Sequence, residues 1–246
     1  MRIGFWDIEM APATVHSWGL FNQTHSLNQI VEQPYMLSFA WRWYGEKKVI
    51  FKSVHHDGYE EMILALRALF DEADALVSWN GAGFDTKHAQ REFIQLGLIP
   101  PSPVKEIDLM RKTKAKFRFL SNKLDNVAQQ LGVGAKKSTG GHELWVACMA
   151  GDEKAWRKMR TYNVQDVNLL VLLYERLLPW IDQHPNVALY DDINGGCPNC
   201  GSTNLQRRGK EVTSAGTYTR YQCQAEGCGK WFRGSKRLET TAVRPL

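Results

Sequence analysis

Two carboxylate residues, Asp7 and Glu9, close a run of apolar residues near the start of the chain. Alternate residues of a β-strand share a face, so a strand predicted at residues 3–9 places both acids on one side. Like charges on one face of a buried strand repel each other and resist desolvation. A divalent cation between the acids offsets that cost, whereas a strand that runs out into solvent needs none. This segment alone leaves both interpretations open.

Three further residues have the types and positions that a metal-dependent site needs. Asp85 follows a predicted buried strand and opens a predicted helix, where the helix dipole favours a carboxylate. Tyr162 and Asp166 lie four residues apart in a predicted helix, so their side chains stack on one face. Each feature also has an ordinary structural interpretation, as a helix N-terminal charge or as a hydrogen-bonded surface pair. Taken singly, none of them identifies a function.

Taken in order, these residues match the motifs of a known family. A D-x-E motif is present as Asp7-Ile8-Glu9, an N-x2–3-[FY]-D motif ends at Asp85, and a Y-x3-D motif runs from Tyr162 to Asp166. The ordered set resembles the DEDDy subclass of the DEDD superfamily of 3′–5′ exonucleases, over about residues 1–180. The resemblance implies a ribonuclease-H-like fold and a metal-dependent nuclease.

The resemblance also implies roles for the residues of the motifs. Two Mg²⁺ or Mn²⁺ ions would be held by Asp7, Glu9, Asp85 and Asp166, with Asp7 bridging both and Tyr162 orienting the attacking water. Such ions activate water and stabilise the leaving oxygen of a phosphodiester. The expected reaction is hydrolysis at the 3′ end of DNA, single-stranded or frayed, with release of mononucleotides. DNA is favoured because no dedicated RNA-binding module is evident.

Three other functions remain as alternatives. A 3′ exoribonuclease uses the same acids, and contacts to a 2′-hydroxyl are not readable from the sequence. A non-catalytic nucleic-acid-binding protein would have no reason to bring four carboxylates together. A proofreading partner of a polymerase is the third, although the chain has no identifiable docking segment.

A second group of residues near the acids is expected to contact the substrate. These residues are Met10, Trp79, Asn80, Phe84 and Lys137. Their aromatic side chains can stack on the terminal nucleotide or belong to the core. Met10 stands where the family often has Thr or Ser, so the contact to the terminal sugar is expected to differ. Lys136 and His142 are candidates for phosphate contacts, with an ordinary loop histidine as the favoured interpretation of His142.

The C-terminal segment contains two cysteine pairs, Cys197 with Cys200 and Cys223 with Cys228. Paired cysteines next to glycines are typical of a tetrahedral thiolate zinc site, although the second pair is more widely spaced than usual. The segment resembles a zinc ribbon, in which one structural Zn²⁺ stabilises a fold too small for its own core. Disulfide pairing is the alternative and is disfavoured in a reducing compartment. Cys148 is expected to be a buried apolar residue.

Positive charge is concentrated in the same segment. Residues 193–246 contain 9 Lys and Arg residues against 3 Asp and Glu residues, while the rest of the chain is close to neutral. Cations interleaved with aromatic residues suit a single strand of nucleic acid, although a solvated basic surface is the alternative. The residues expected to bind it are Arg207, Arg208, Tyr221, Trp231 and Arg233.

The elements that must position these residues form an α/β pattern. We expect a mixed sheet flanked by helices, with an antiparallel hairpin over residues 34–54 and a long loop over 10–33. Helices are predicted at 59–73, 85–96, 121–131 with Ser121 as N-cap, and within 152–180. The predicted domains are an exonuclease domain (1–192) and a zinc ribbon (193–246). No signal peptide or membrane-spanning run is evident, so a cytoplasmic protein without membrane association is expected.

Overall fold

The computed structural model of the protein describes residues 1–136 and 140–243. Within these ranges the strands form a five-stranded main sheet, a three-stranded C-terminal sheet and a two-stranded arm. In chain order the strands are β1 (Ile3–Met10), β2 (Thr14–Val15), β3 (Ile30–Glu32), β4 (Met36–Trp43), β5 (Ile50–Ser53), β6 (Ala75–Ser78), β7 (Lys105–Asp108), β8 (Leu205–Thr213), β9 (Gly216–Cys223) and β10 (Trp231–Thr240). The helices are α1 (Val54–Asp57), α2 (Tyr59–Glu72), α3 (Asp85–Gln95), α4 (Leu109–Lys116), α5 (Leu124–Gln130), α6 (Glu143–Met149), α7 (Glu153–Leu177) and α8 (Val187–Tyr190).

The main sheet is mixed and has the strand order β5–β4–β1–β6–β7. β4 and β5 pair antiparallel as the predicted hairpin. β1 pairs antiparallel with β4 and parallel with β6, and β6 pairs parallel with β7. The central position of β1 satisfies its backbone on both edges. The predicted α/β fold with a mixed sheet and flanking helices is confirmed.

Helices cover both faces of the main sheet. On one face, Phe5 of β1 packs in an apolar cluster with Leu170 of α7. On the other face, Trp6 packs with Leu66 of α2 and Phe93 of α3. Because successive residues of β1 alternate between these two clusters, the odd-numbered residues of the strand point towards α7.

Residues 10–33 differ from the predicted long loop, because part of this segment forms the two-stranded arm. β2 and β3 pair antiparallel, and a 3-10 helix at Leu27–Gln29 precedes β3. The Thr14 hydroxyl donates to Glu32 at 3.2 Å, and the Gln29 amide donates to the His16 carbonyl at 3.0 Å. These cross-arm hydrogen bonds join short strands that lack a clear hydrophobic alternation.

The predicted N-cap of the helix at 121–131 was wrong. Helix α5 begins at Leu124, and extended Lys123 occupies the N-cap position without a side-chain capping bond. The Ser121 hydroxyl instead accepts a hydrogen bond from the Lys123 backbone N–H at 3.3 Å. Serine competes for nearby backbone groups in this way when it forms a local turn.

The C-terminal sheet has the order β10–β9–β8 and is antiparallel throughout. Two of its strands were predicted, and β10 is an addition. The sheet is attached to the end of α7, where the Asn199 side-chain amide donates to the Leu178 carbonyl at 2.8 Å. The Lys230 ammonium donates to the Ile181 carbonyl at 2.9 Å. No helix within the described ranges is both long and apolar enough to cross a membrane.

Candidate active site

Asp7 and Glu9, the acids of the first motif, lie on β1. Because both are odd-numbered residues of this strand, their side chains face helix α7. Asp7 retains some solvent contact, and Glu9 is almost fully buried. One carboxylate oxygen from each of Asp7, Glu9 and Asp166 lies within 4.8 Å of the other two. The structure therefore brings together three acids that are far apart in the sequence.

Helix α7 supplies the residues that face these strand acids. The Asp152 side chain caps the helix by accepting hydrogen bonds from the backbone N–H groups of Lys154 and Ala155, at 2.6 and 3.0 Å. Residues of α7 that pack on the sheet fix the rotation of the helix about its axis. Tyr162 and Asp166 then lie on the face that meets β1, as the four-residue spacing predicts.

Asp85 lies next to the three clustered acids. It is the first residue of α3, and its Oδ1 accepts a long hydrogen bond from the Ile8 backbone N–H at 3.4 Å. Among the described residues, the closest carboxylate group contains Asp7, Glu9 and Asp166 and does not include Asp85. The charge of Asp85 nevertheless raises the pKa of Asp7. The fourth predicted acid thus faces the same site from its edge.

Burial and mutual repulsion make these acids resist ionisation. Burial, followed by the charge of Glu9, raises the pKa of Asp7 well above its usual range. Burial, followed by the charge of Asp166, raises the pKa of Glu9 to about 8. Burial also raises the pKa of Asp85 to about 7. Divalent cations suit such a site, because they offset the repulsion between the acids and favour their ionised forms.

Lys136 supplies part of the missing positive charge. Its ammonium pairs with Asp166 Oδ2 and donates to the Tyr162 hydroxyl at 3.1 Å. Burial lowers the pKa of Lys136, but the charges of Asp166 and Asp7 outweigh that effect and raise it overall. Asp166 Oδ1 is buried without a hydrogen-bond partner among the described residues. The chain therefore leaves a buried carboxylate oxygen free to bind a metal.

Asn163 is a site residue that the sequence analysis missed. Its side-chain amide donates to Asp7 Oδ2 at 2.7 Å and to the Asp7 carbonyl at 3.3 Å. The Ser38 hydroxyl donates in turn to Asn163 Oδ1 at 3.4 Å. Asn163 is completely buried, and it stands beside Tyr162 in the third motif. A polar residue on the buried side of a helix was the signal that could have identified it.

The Tyr162 hydroxyl belongs to the same network. Burial, followed by the charge of Asp166, raises the pKa of Tyr162, so the phenol stays protonated at neutral pH. Trp145 of α6 packs edge-on against the Tyr162 ring and hydrogen-bonds the Glu9 carboxylate. Tyr162 can therefore orient a polar ligand but does not act as a strong base.

The predicted substrate-contact residues line two cavities near the acids. Met10 and Phe84 line a cavity of about 390 Å³ that also contains His142. Trp79 and Asn80 line a cavity of about 620 Å³ that also contains Lys136. Phe84 is 44% exposed, so its ring is available to a ligand. The Trp79 side chain is held in place, since its indole N–H donates a hydrogen bond to the Asn122 carbonyl at 3.0 Å. Lys137 lies outside the described residues.

The four C-terminal cysteines form a second candidate metal centre. The Sγ atoms of Cys197 and Cys228 are 3.8 Å apart, and those of Cys200 and Cys223 are 3.7 Å apart. A tetrahedron with Zn–S bonds of about 2.3 Å has S–S edges of about 3.8 Å. The donor set and its spacing therefore fit zinc, with the sulfurs already in place. Cys148 is a buried free cysteine, as predicted.

The predicted binding residues of the C-terminal sheet do not share one face. Trp231 and Arg233 lie on one face, because they are two residues apart in β10. Arg207 pairs with Tyr221 across the sheet, and both lie on the opposite face. Arg208 sits at the irregularity between Arg207 and Lys210 in β8.

Residues 24–178 match a family model described as RNase_H superfamily. The chain belongs to the RNase H superfamily. The matched residues include Asp85, Tyr162 and Asp166, whereas Asp7 and Glu9 precede them. In this RNase H superfamily protein, the pairing of β1 with β4 and β6 brings the two N-terminal acids to the site. Membership supports a nuclease-type function on nucleic acid and use of divalent metals.

The RNase H superfamily fold also has similar solved structures. One is the family B DNA polymerase from the hyperthermophilic archaeon Pyrobaculum calidifontis, with a TM-score of 0.54 and 17% sequence identity. The similarity covers 72% of this chain and 24% of the polymerase chain. The chain thus corresponds to about a quarter of that polymerase, and at this identity the shared feature is the fold. No curated protein matches the chain.

We expect the protein without Mg²⁺ or Mn²⁺ to lose stability as the pH rises. The pKa of Glu9 is raised from 4.5 to about 8, mainly by burial. Between these values the folded protein binds more protons than the unfolded chain, so the free energy of unfolding falls as pH increases. Thermal unfolding from about pH 5 to pH 8 measures this slope.

Two comparisons test the origin of that slope. Substituting Glu9→Gln should make the slope shallower, because one of the carboxyl groups with a raised pKa is gone while Asp7 and Asp85 remain. Adding Mg²⁺ or Mn²⁺ should raise the melting temperature more at the alkaline end, where the carboxylates are ionised. An unchanged slope in the Glu9→Gln variant would contradict this explanation.

Proposed function

We propose that the protein is a metal-dependent 3′–5′ exonuclease of the DEDDy type that releases mononucleotides from DNA. The observation that carries this proposal is the group of Asp7, Glu9 and Asp166, whose oxygens converge within 4.8 Å. Asp166 adds a buried oxygen without a hydrogen-bond partner among the described residues. A protein that only binds nucleic acid has no use for repelling acids, because they weaken both its stability and its attraction to phosphate.

Two Mg²⁺ or Mn²⁺ ions would be held by Asp7, Glu9 and Asp166, with Asp85 supporting one of them from the edge of the group. When bound, such ions lower the pKa of water, neutralise the phosphate and stabilise the departing 3′ oxygen. Hard carboxylate oxygens are the ligands that both ions prefer.

The chain's own side chains orient the reactants. The protonated Tyr162 hydroxyl holds the attacking water in position by hydrogen bonding. Asn163 fixes the orientation of Asp7 through the 2.7 Å hydrogen bond to its carboxylate. Lys136 neutralises Asp166 until cations take over that role, and its ammonium then faces the substrate phosphate. Phe84, which is exposed at the cavity beside β1, stacks on the terminal base.

DNA is the proposed polymer, and the C-terminal module is proposed to be a zinc ribbon that holds it. A similar fold occurs in a solved structure named as a DNA polymerase, which favours DNA and a replication setting. We assign residues 1–192 to the nuclease domain and 193–246 to the ribbon, with one structural Zn²⁺ on the four cysteines. Action on RNA as a 3′ exoribonuclease is the competing outcome of the test.

The test uses single- and double-stranded DNA and RNA labelled at either end. We expect Mg²⁺ or Mn²⁺ to release labelled mononucleotide at once from 3′-labelled DNA and to shorten 5′-labelled DNA one nucleotide at a time. Chelation of the divalent cation should stop both reactions. Faster degradation of RNA would assign the exoribonuclease activity instead, and no metal-dependent hydrolysis of any substrate would rule out a nuclease.

We expect Asn163→Ala to lower kcat/KM on single-stranded DNA by about 10–100-fold, as for other residues that orient a metal ligand. The cause is loss of the hydrogen bond that fixes the Asp7 carboxylate. Asn168→Ala is the matched control on the same helix, because Asn168 binds Arg42 at 2.8 Å instead of an acid. Equal losses in the two variants would show that helix packing, and not Asp7, is responsible.

A further inference from the structure

We propose that one face of the C-terminal sheet is a stacking site for single-stranded polynucleotide, several nucleotides away from the acids. The inference rests on the proposed function, since the strand it binds is the one whose 3′ end enters the active site. Five residues of this surface, which also carries Glu211 ion-paired with Arg233 at 3.6 Å, form what we call the aromatic–arginine ladder. They are Trp231, Arg220, Arg233, Tyr218 and Arg237.

Strand pairing places these residues on the same face. Residues directly opposite each other in an antiparallel sheet share a face. Arg233 lies opposite Arg220, and Arg237 lies opposite Tyr218. Trp231 precedes Arg233 by two residues in β10, and Tyr218 precedes Arg220 by two residues in β9, so both pairs share a face as well.

Aromatic rings and guanidinium groups alternate along the ladder. The Arg220 guanidinium lies 5.2 Å from the centre of the Trp231 ring, and that of Arg233 lies 4.3 Å from the centre of the Tyr218 ring. Arg237 Nε donates to the Tyr218 hydroxyl at 3.3 Å. Trp231 is 47% exposed. Rings that stack on bases beside cations that meet phosphates are what a flexible single strand requires.

The opposite face of the sheet serves a structural purpose. Phe232 packs against the cysteine cluster, and the Tyr221 ring stacks on Phe232 with centroids 5.8 Å apart. The Tyr221 ring therefore already has an aromatic partner within the module. Arg207 is exposed on this face, across from Tyr221. Arg207 therefore carries the same charge as each ladder arginine but lies outside the ladder.

Charge favours a polyanion as the occupant of the ladder. The segment from 193 to 246 contains 9 of the 31 Lys and Arg residues but only 3 of the 26 Asp and Glu residues. The rest of the chain is close to neutral, so attraction of phosphate originates in the C-terminal module. An acidic protein would use the charge but would have no need for alternating rings.

The attachment of the sheet sets its distance from the acids. The Asn199 and Lys230 contacts fasten it at the end of α7, about 17 Å along the helix axis from Asp166. A strand with bases spaced about 3.4 Å apart needs about five nucleotides to cover that length. A strand of about four nucleotides whose 3′ end occupies the active site therefore does not reach the ladder, whereas a long strand reaches both sites.

The test measures binding of the zinc-loaded chain of residues 1–246 without turnover. Fluorescence anisotropy with Ca²⁺ in place of Mg²⁺ gives Kd for labelled oligo-dT and oligo-rU of about 30 and about 4 nucleotides. We expect the double substitution Tyr218→Ala and Trp231→Ala to raise Kd for the long strands by about 10–100-fold. Kd for the short strands should not change. The double substitution to Phe should restore long-strand binding, because the rings are retained.

Arg207→Ala is the control, and we expect it to change Kd less than about 3-fold, because it removes a single positive charge that lies outside the ladder. Zinc content and thermal unfolding verify that each variant is folded. Wild-type affinity in the double alanine variant, or an equal loss in Arg207→Ala, would overturn the ladder, as would failure of the wild-type protein to bind either long strand. Ladder-dependent binding without any metal-dependent hydrolysis would overturn the proposed function alone. The dT and rU arms reveal the preferred sugar.

Discussion

Asp7→Asn is expected to reduce metal-dependent hydrolysis by at least about 10³-fold, since the ions supply several kcal/mol of transition-state stabilisation. The substitution preserves the shape of the side chain but removes the charge that faces both Glu9 and Asp166. The Asn163 amide can still donate its hydrogen bond to the side-chain oxygen of the substituted residue, so the local structure should persist. Loss of activity would therefore reflect loss of metal binding.

The same substitution should stabilise the protein when Mg²⁺ and Mn²⁺ are absent. Burial and the neighbouring acids raise the pKa of Asp7, so its charge opposes folding at neutral pH. Removing that charge should raise the free energy of unfolding at neutral pH, because folding then no longer requires protonating or burying an ionised carboxylate. A change that raises stability and abolishes activity cannot be explained by misfolding.

Nuclease assays and thermal unfolding on the same protein preparation measure both effects. Glu106→Gln is a suitable control because it removes an exposed carboxylate from β7, away from the site. The control should retain wild-type activity and stability. Full metal-dependent activity in Asp7→Asn, purified free of host nucleases, would show that the acids are not the catalytic centre.

Cys223→Ser is expected to remove the structural metal and unfold the C-terminal sheet. The apolar cluster of this module consists largely of the cysteines themselves, so the sheet has little else to hold it. Structural zinc contributes about 10–16 kcal/mol of apparent binding free energy in small modules, and most of that is folding free energy. The main sheet and its helices have their own apolar clusters and should stay folded.

Metal analysis and limited proteolysis test this expectation. We expect one zinc per wild-type chain, none in Cys223→Ser, and rapid cleavage confined to residues after about 193 in that variant. Cys148→Ala is the matched control. Cys148 is buried in an apolar cluster with Leu144 and Trp156, outside the C-terminal sheet, so this substitution should leave the zinc content unchanged. Zinc retained in Cys223→Ser at wild-type stoichiometry would refute the four-cysteine site.

Much of the site was predictable because its residues carry strong local signals. The strand acids alternate with apolar residues, and the helix pair has a four-residue spacing, so each side chain could be assigned to a face. The cysteines follow a short spacing rule that metal geometry imposes. The hairpin over residues 34–54 followed from two β-rich runs, and helix α2 followed from hydrophobic periodicity.

Features that depend on tertiary packing were missed or misplaced. In the sequence, Asn163 cannot be distinguished from an ordinary helical residue. Its hydrogen bond to Asp7 depends on which face of α7 packs against β1. Lys136 gave no sign of its ion pair with Asp166, which forms across 30 residues of sequence. Ser121 matches the sequence signal of an N-cap residue. Its hydroxyl nevertheless accepts a hydrogen bond from the Lys123 N–H, in a turn that precedes helix α5. Helices α4 and α6 are too short for a clear periodic pattern.

The pairing of the C-terminal strands also decided which basic residues act together. Residue types in the sequence grouped Arg207 and Tyr221 with Trp231 and Arg233. Cross-strand register divides them between two faces, and it brings in Arg220 as the partner of Trp231. Register is set by strand bulges and turns, which composition does not show.

The most direct measurement is the anomalous scattering of Mn²⁺ in crystals of the full chain near pH 8, where the pKa of Glu9 allows ionisation. We expect two peaks about 3.5–4 Å apart, bounded by Asp7, Glu9 and Asp166. The Lys136 ammonium should have left Asp166 as the ions bind. Saturating Mn²⁺ with no peak at these carboxylates, and with Lys136 still paired to Asp166, would contradict a two-metal active site.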